Sequence, residues 1–298
     1  MNNNRPLKNP LFLIVITVLL LVIVILADSL GYIGKLQSAF IEDKQNTVRF
    51  LDVGQADCTL VENNGRFFLI DAGNNVDDGF KVEKKLRFYG VDTIEGVVLS
   101  HLHSDHIGGL LTVLENFSVK NIYLSDVCDR EDPLYLEIIS ATDRKETKVV
   151  YLKKNDKIVM GTATFTVLWT PQSANENNAS LVLGAECDEL TFFFGGDISS
   201  TEERKMLDNN VISRFNILKA SHHGSKNSGC DEFLDAVSPQ YCVCFCGKDN
   251  DYSFPNEEFV NRIKKRGIVM YTTAENGDIV FNTKDKTVSL EKTKAAHQ

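Results

Sequence analysis

Apolar and polar positions divide this 298-residue chain into three regimes. Leu11 to Ala27 is apolar at every position except Thr17. Asp28 to Asn46 mixes the two classes without a period and reads as a tether. From Thr47 onward, short apolar runs of strand length alternate with segments whose apolar residues recur at helical spacing.

In that third regime, strands are predicted at Thr47 to Val53, Cys58 to Val61 and Arg66 to Ile70. Asn63-Asn64-Gly65 is a hairpin signal between the second and third. Phe80 to Tyr89 has helical character and stops at Gly90. Gly96-Val97-Val98-Leu99 predicts a buried strand, and a helix is expected through Ile107 to Leu114. Further strands are expected at 121–124, 149–152, 157–160, 162–169, 180–183, 190–194, 215–220, 241–245 and 268–271, with helices at 133–142, 201–207, 230–237 and 256–266. Asn276-Gly277 predicts a hairpin into Asp278 to Phe281, and Thr287 to Leu290 an edge strand in a charged, frayed tail. Two strand-rich halves, each with helices, predict two packed sheets flanked by helices.

The first regime is close to the length that crosses a bilayer once Asp28 to Ile33 extend it. Arg5 and Lys8 precede it, which keeps the N-terminus cytoplasmic and places the domain outside the cytoplasm. An uncleaved anchor is favoured over a cleaved signal because the run is long and no Ala-x-Ala site follows. The expected order is a cytoplasmic N-terminus at 1–10, an anchor at 11–33, a linker at 34–46, a folded domain at 47–282 and a tail at 283–298.

A net charge of -9 argues against a dedicated nucleic-acid coat, although bound cations would reverse the charge of a local site. The seven cysteines show no disulfide framework. Cys242-Val243-Cys244-Phe245-Cys246 alternates as one face of a buried strand does, with cysteine as a small hydrophobe.

The chemistry concentrates at Ser100-His101-Leu102-His103-Ser104-Asp105-His106-Ile107-Gly108-Gly109, which holds three of the six histidines. On an extended chain His101 and His103 point to one side. Imidazole and carboxylate together suit zinc, manganese or iron, and four donors exceed half of one tetrahedral site, so two adjacent ions are expected. Asp197 and the His222-His223 pair also follow predicted strands, where sites assemble in open sheets. Asp71, after another strand end, is read either as a carboxylate that orients a ligand histidine or as a turn cap.

These segments, with Asp52-Val53-Gly54-Gln55-Ala56-Asp57, Leu69-Ile70-Asp71-Ala72-Gly73, Asn177-Asn178-Ala179-Ser180-Leu181-Val182-Leu183, Gly195-Gly196-Asp197 and Ser221-His222-His223-Gly224-Ser225, resemble the metallo-β-lactamase superfamily. Within it they resemble the hydrolase-like domain of the ComEC/Rec2 competence proteins, over residues 47 to 282. The resemblance implies an α+β fold, a four-layer αββα sandwich here preceded by a transmembrane helix, with two divalent ions, zinc or manganese, between the sheets. It implies that His101 and His103 hold one ion, that Asp105, His106 and His222 hold the other, and that Asp197 bridges them. Asp105, Asp197 and His223 are the expected catalytic groups, with Gln55, Asp57, Asn178 and Ser225 at the substrate rim. Strand geometry, allowing only one of two neighbours to face the ions, favours His222 as the ligand.

Two departures stand out. Many members place a further histidine after a Thr-Pro-Gly turn, whereas Thr170-Pro171 is followed here by Gln172, with Asn177 or Asn178 nearest the gap. Competence-like domains carry a late Tyr-Gly-His-Pro element, and this chain has Tyr252-Ser253-Phe254-Pro255. The implied activity is hydrolysis of a phosphoester, DNA included, by a metal-bridged hydroxide at the outer face of the membrane. The alternatives are a lactam or ester hydrolase of the envelope, and a non-catalytic metal-binding surface domain.

Overall fold

A computed structural model of the chain describes residues 46–74, 77–170 and 177–291, together with Val22. The expected membrane anchor otherwise lies outside the described residues, and among these no helix is long and apolar enough to cross a membrane. Among the described residues, contacts group those from Asn46 to Lys85 with those after Val91 as one compact unit, while Leu86–Val91 belong to another. The first unit holds both sheets.

The first sheet contains β1 (Thr47–Phe50), β2 (Thr59–Asn63), β3 (Arg66–Ile70), β4 (Thr93–Val98), β5 (Ser118–Val119), β6 (Asn121–Ser125), β7 (Lys148–Leu152), β15 (Asp278–Asn282) and β16 (Thr287–Glu291). The second contains β8 (Lys157–Met160), β9 (Ala163–Trp169), β10 (Val182–Cys187), β11 (Leu190–Phe194), β12 (Ile217–Lys219), β13 (Tyr241–Cys244) and β14 (Val269–Thr272). Both follow one plan. An antiparallel meander, β1-β2-β3 or β9-β10-β11, leads into parallel strands, β4-β6-β7 or β12-β13-β14. Parallel neighbours need long crossovers, and most of these are helical. They supply α1 (Asp77–Phe88), α2 (Ser104–Ile107), α3 (Leu110–Asn116), α4 (Pro133–Lys145), α5 (Ser200–Asp208), α6 (Asp231–Val237) and α7 (Glu257–Lys265). A one-turn helix, α8 (Thr273–Asn276), precedes β15.

The core between the sheets is aromatic. Phe50 of β1 packs against Phe192 and Phe194 of β11 and against Phe245, with ring centroids 6.4, 6.0 and 5.7 Å away. Phe68 of β3 stacks on Phe165 of β9 at 4.7 Å. Burying each such ring contributes roughly 1.5–3 kcal/mol. Residues on the opposite face of the second sheet pack under α5, α6 and α7 through Met206, Phe233, Leu234, Phe259 and Ile263. The alternation at Tyr241–Cys246 divides between these two cores. Val243 and Phe245 face the inter-sheet core, while Cys242, Cys244 and Cys246 face the helices. All seven cysteines are free thiols.

The hairpin at Asn63-Asn64-Gly65 forms as its residues dictate. Asn64 and Gly65 adopt φ of 51° and 72°, the left-handed pair that a tight hairpin of this kind requires. Asn276-Gly277 does not make the expected hairpin. β14 lies in the second sheet, whereas β15 pairs with β1 and β16 in the first, so the chain crosses between sheets there through α8. Gly277, at φ 74°, serves that crossing and not a strand reversal. The strand expected over 180–183 begins two residues later and runs to Cys187: Asn177–Ala179 form a helical turn, and the Leu181 amide donates to the Ser100 carbonyl and not to a neighbouring strand.

Candidate metal centre

The groups singled out in the sequence sit at the carboxyl ends of β3, β4, β11 and β12, where both meanders pass into their parallel halves. Asp71 follows β3 at φ 59°, a left-handed conformation that its short carboxylate tolerates. Its Oδ1 accepts from the Ser100 amide at 2.7 Å, and its Oδ2 accepts from Ser100 Oγ and from His106 Nδ1, both at 2.8 Å. Of the two roles open to it, Asp71 therefore takes the orienting one.

Those bonds assign the imidazole protons. His106 donates from Nδ1, so in the neutral ring Nε2 carries the lone pair. Ser100 Oγ gives its hydrogen to Asp71 and stands 3.1 Å from His101 Nδ1, which directs that ring's lone pair to Nε2 as well. His223 Nδ1 donates to the Phe245 carbonyl at 3.1 Å. Its Nε2 lies 3.0 Å from Asp105 Oδ2 and 3.8 Å from Asp197 Oδ2. His106 Nε2 lies 3.3 Å from Asp197 Oδ1.

The result is a surface of acceptors. One ligand atom each from Asp105, His106, Asp197 and His223 falls within 4.8 Å of the others. His106 Nε2, His101 Nε2 and Asp197 Oδ1 are buried without a hydrogen-bond partner. Buried lone pairs that converge without donors cost free energy unless a cation receives them. Two nitrogen and two carboxylate donors match a borderline divalent ion, so these residues fit the metal that the sequence implied. His101 and His103 flank this group, with ring centroids 4.2 Å from His106 to His101 and 4.6 Å from His101 to His103. A cavity of about 120 Å³ opens beside them, between His101, His103, Ser125, Cys128 and Ala179.

Without an ion, protons take part of its place. Burial drives His101 well below the ordinary histidine value, aided by the neighbouring His106, so it stays neutral and able to ligate. Burial would also lower His106, but Asp197, Asp57 and Asp71 outweigh it and hold the metal-free ring well above that value. Burial tends to raise Asp105, yet the His223 hydrogen bond and the His106 charge hold it well below the carboxylate range.

The arrangement of the adjacent histidines differs from the sequence expectation. β12 ends at Lys219, and Ser221–Gly224 is a turn in which His222, His223 and Gly224 take φ of 48°, 51° and 75°. Strand alternation therefore does not govern this pair. His223 is 2% exposed and joins Asp105, Asp197 and His106. His222, favoured from sequence as the ligand, stands at the open edge with Nε2 4.0 Å from Asp197 Oδ2. Two successive non-glycine residues in the left-handed region cost about 1–3 kcal/mol each, strain of the kind that gathers at functional sites.

The structure places the four expected rim residues as follows. Asp57 is 2% exposed and lies behind the ligands, with Oδ1 3.3 Å from His223 Nδ1. Gln55 Oε1 accepts from the Gly247 amide at 2.9 Å. Asn178 Oδ1 accepts from Ser199 N and Oγ ahead of α5. Ser225 is buried and its Oγ accepts from the Asn227 amide. Gln55, Asn178 and Ser225 thus hold loop groups around the cluster, while Asp57 pairs through Oδ2 with Lys219.

Lys219 is a participant that the sequence reading missed. It is 2% exposed, donates to the Gly196 carbonyl at 2.9 Å, pairs with Asp57 Oδ2 and stands 3.5 Å from Asp197 Oδ1. Burial works against its charge, but Asp57 and Asp197 hold the ammonium above its ordinary range. The available signal was a lysine ending the apolar run Ile217-Leu218, where a charge is rarely buried without a partner.

Known proteins share this plan. The chain is 26% identical over 262 residues to the ComE operon protein 3 of Bacillus subtilis, covering 81% of this chain and 34% of that protein. It is 26% identical over 247 residues to competence protein ComA of Neisseria gonorrhoeae, covering 81% and 33%. It thus spans about a third of the length of these relatives. Its fold resembles the metallo-β-lactamase fold protein YhfI of Bacillus subtilis, with a TM-score of 0.54 at 12% identity over 79% of this chain and 99% of that one. It also resembles CmlA, a diiron β-hydroxylase of Streptomyces venezuelae, with a TM-score of 0.56 at 15% identity over 80% and 54%. The family model for this sandwich matches residues 51–248, and the chain belongs to the metallo-β-lactamase superfamily.

Proposed function

We propose that the chain is a metal-dependent phosphodiesterase acting on nucleic acid, held at the outer face of a membrane by residues 11–33. The observation that carries the hydrolase reading is the convergence of Asp105, His106, Asp197 and His223, with His101 and His103 beside them. The likeness to competence proteins favours nucleic acid as substrate. The apolar run Leu11 to Ala27, broken by Thr17 alone, behind Arg5 and Lys8 favours the anchor.

Bound divalent ions would supply a Lewis acid and a water that ionises near neutral pH. The chain's own residues do the rest. Asp71 and Ser100 fix the imidazole of His106, and the Phe245 carbonyl fixes that of His223. Asp105, whose side chain is 28% exposed, is the carboxylate of the cluster that reaches the open side, where it stays ionised and can orient a water by accepting its hydrogen bond. His222, neutral because burial lowers it, stands on that side to contact substrate or complete an ion's shell.

The test uses the full chain purified in detergent, with manganese or zinc, against single-stranded DNA, bis-nitrophenyl phosphate and nitrocefin. Phosphodiester cleavage that Asp197→Ala abolishes is the expected result. Turnover of nitrocefin alone would make it a lactam hydrolase, and metal binding without turnover a non-catalytic domain. Protease protection of the N-terminus in intact cells, with the folded domain digested, tests the topology.

A further inference from the structure

The ring of His223 begins a column of rings that leaves the cluster and ends in solvent. Phe254 stacks on His223 with centroids 5.7 Å apart and planes at 29°, and lies 5.5 Å from His222. Tyr252 stacks on Phe254 at 5.5 Å with planes at 15°. Tyr252 is 66% exposed. A tyrosine placed for core packing would be largely covered, whereas this one presents aromatic surface to water directly outside the candidate centre.

The segment that carries the rings is held in advance. Asn250 Oδ1 accepts from the Phe254 amide at 2.9 Å, and Asn250 Nδ2 donates to the carbonyls of Phe254 and Gly247 at 2.8 and 3.0 Å. The Gly247 amide is tied in turn to Gln55. A ligand that meets the platform therefore has little loop to order. Phe254 stands where competence-like domains carry the histidine of Tyr-Gly-His-Pro. Its ring neither ligates nor titrates, and its place between Tyr252 and the histidines makes it a spacer in the stack.

We propose that Tyr252, backed by Phe254, is a stacking platform for a base of single-stranded nucleic acid next to the bond cleaved at the cluster. This rests on the phosphodiesterase reading and adds the form of its substrate. Every base offers a π face, so the platform tolerates sequence, and a duplex, whose bases already stack on each other, gives it nothing to hold. Lys248, Asp249 and Asp251 beside it sum to a charge of -1 and so supply no attraction for phosphates. The gain therefore comes from the ring and persists as salt rises, unlike binding through phosphates.

The test measures anisotropy of labelled strands with the full chain in detergent and a chelator, so that nothing is cleaved. The probes are an oligothymidylate, an oligouridylate, an abasic strand of equal length and a duplex. The wild type should bind base-bearing single strands roughly ten-fold more tightly than the abasic strand. Tyr252→Ala and Tyr252→Ser should remove that preference with the thermal melt unchanged, and Tyr252→Trp should keep it. A base preference in only one of the two polymers identifies DNA or RNA as the source. Equal binding of base-bearing and abasic strands, binding of none, or a preference that survives in Tyr252→Ala overturns the platform. Turnover of bis-nitrophenyl phosphate with manganese reports the phosphodiesterase reading separately. Turnover without a base preference rejects the platform alone, and a base preference without turnover rejects that reading alone.

Discussion

His106 Nδ1 lies 2.8 Å from Asp71 Oδ2, and that contact decides which nitrogen of the imidazole looks into the cluster. Carboxylates that hold a ligand histidine in this way typically account for about 10–100-fold in metal affinity. Asp71→Asn should lower affinity by that order in chelator competition. It should leave the inter-sheet core intact by near-UV circular dichroism.

Lys219 predicts effects of opposite sign on fold and ion. Lys219→Met leaves Asp57 and Asp197 buried without their ammonium, and breaking such a buried pair costs about 3–5 kcal/mol. Denaturant titration of the metal-free protein should show that loss. The same substitution removes a positive charge 3.5 Å from Asp197 Oδ1, so metal affinity measured in the folded protein should rise.

In metal-free protein the histidines predict a stability maximum near pH 6.5, the ordinary histidine value. His101 and His222 are lowered, both by burial. Below that pH the unfolded chain takes up protons there that the folded chain refuses, so stability falls as pH falls. Burial also opposes charge on His106 and His223, but Asp197 and Asp57 raise both. Their stabilisation is complete below the unfolded value and is lost as pH rises through their folded values. Thermal melts across pH 5–9 in chelator check the shape, and saturating metal, which needs unprotonated imidazole, should move the maximum upward.

Phe50 sits among four rings drawn from both sheets. Phe50→Ala should cost about 3–5 kcal/mol, because the surrounding rings cannot close the cavity without shifting a strand. Val159→Ala, at a side chain 68% exposed on β8, should change stability little. Parallel denaturation curves of the two variants provide the comparison.

What the chain disclosed before folding follows from the range of the forces involved. Strand alternation and turn chemistry are local, so the 63–65 hairpin and the split faces of Cys242–Cys246 were legible. The sheet to which β15 belongs is decided by its pairing with β1, more than 220 residues earlier, and no local signal at Asn276-Gly277 carries that. The donor types that the fold gathers at Asp105, His106 and Asp197 were legible because these side chains lie on or beside regular elements. Which of His222 and His223 joins that cluster was not, because it depends on a left-handed turn in residues that seldom adopt one. Lys219 was missed because its partners, Asp57 and Asp197, come from distant segments.

The buried thiols bear on where this fold can survive. Burial pushes Cys58 and Cys244 well above the ordinary thiol value, and Cys187 and Cys242 up to about 12. Cys246 is lowered by its hydrogen bond with Cys244, but its side chain is as enclosed as theirs. Oxidants react with thiolates that they can reach, and the enclosure of these positions denies that access. Cys128, by contrast, is only partly buried, at the wall of the cavity beside His101 and His103. The core therefore holds no bond for a reductant to break, and an oxidant meets a thiol of this fold at that cavity wall before it meets one in the core.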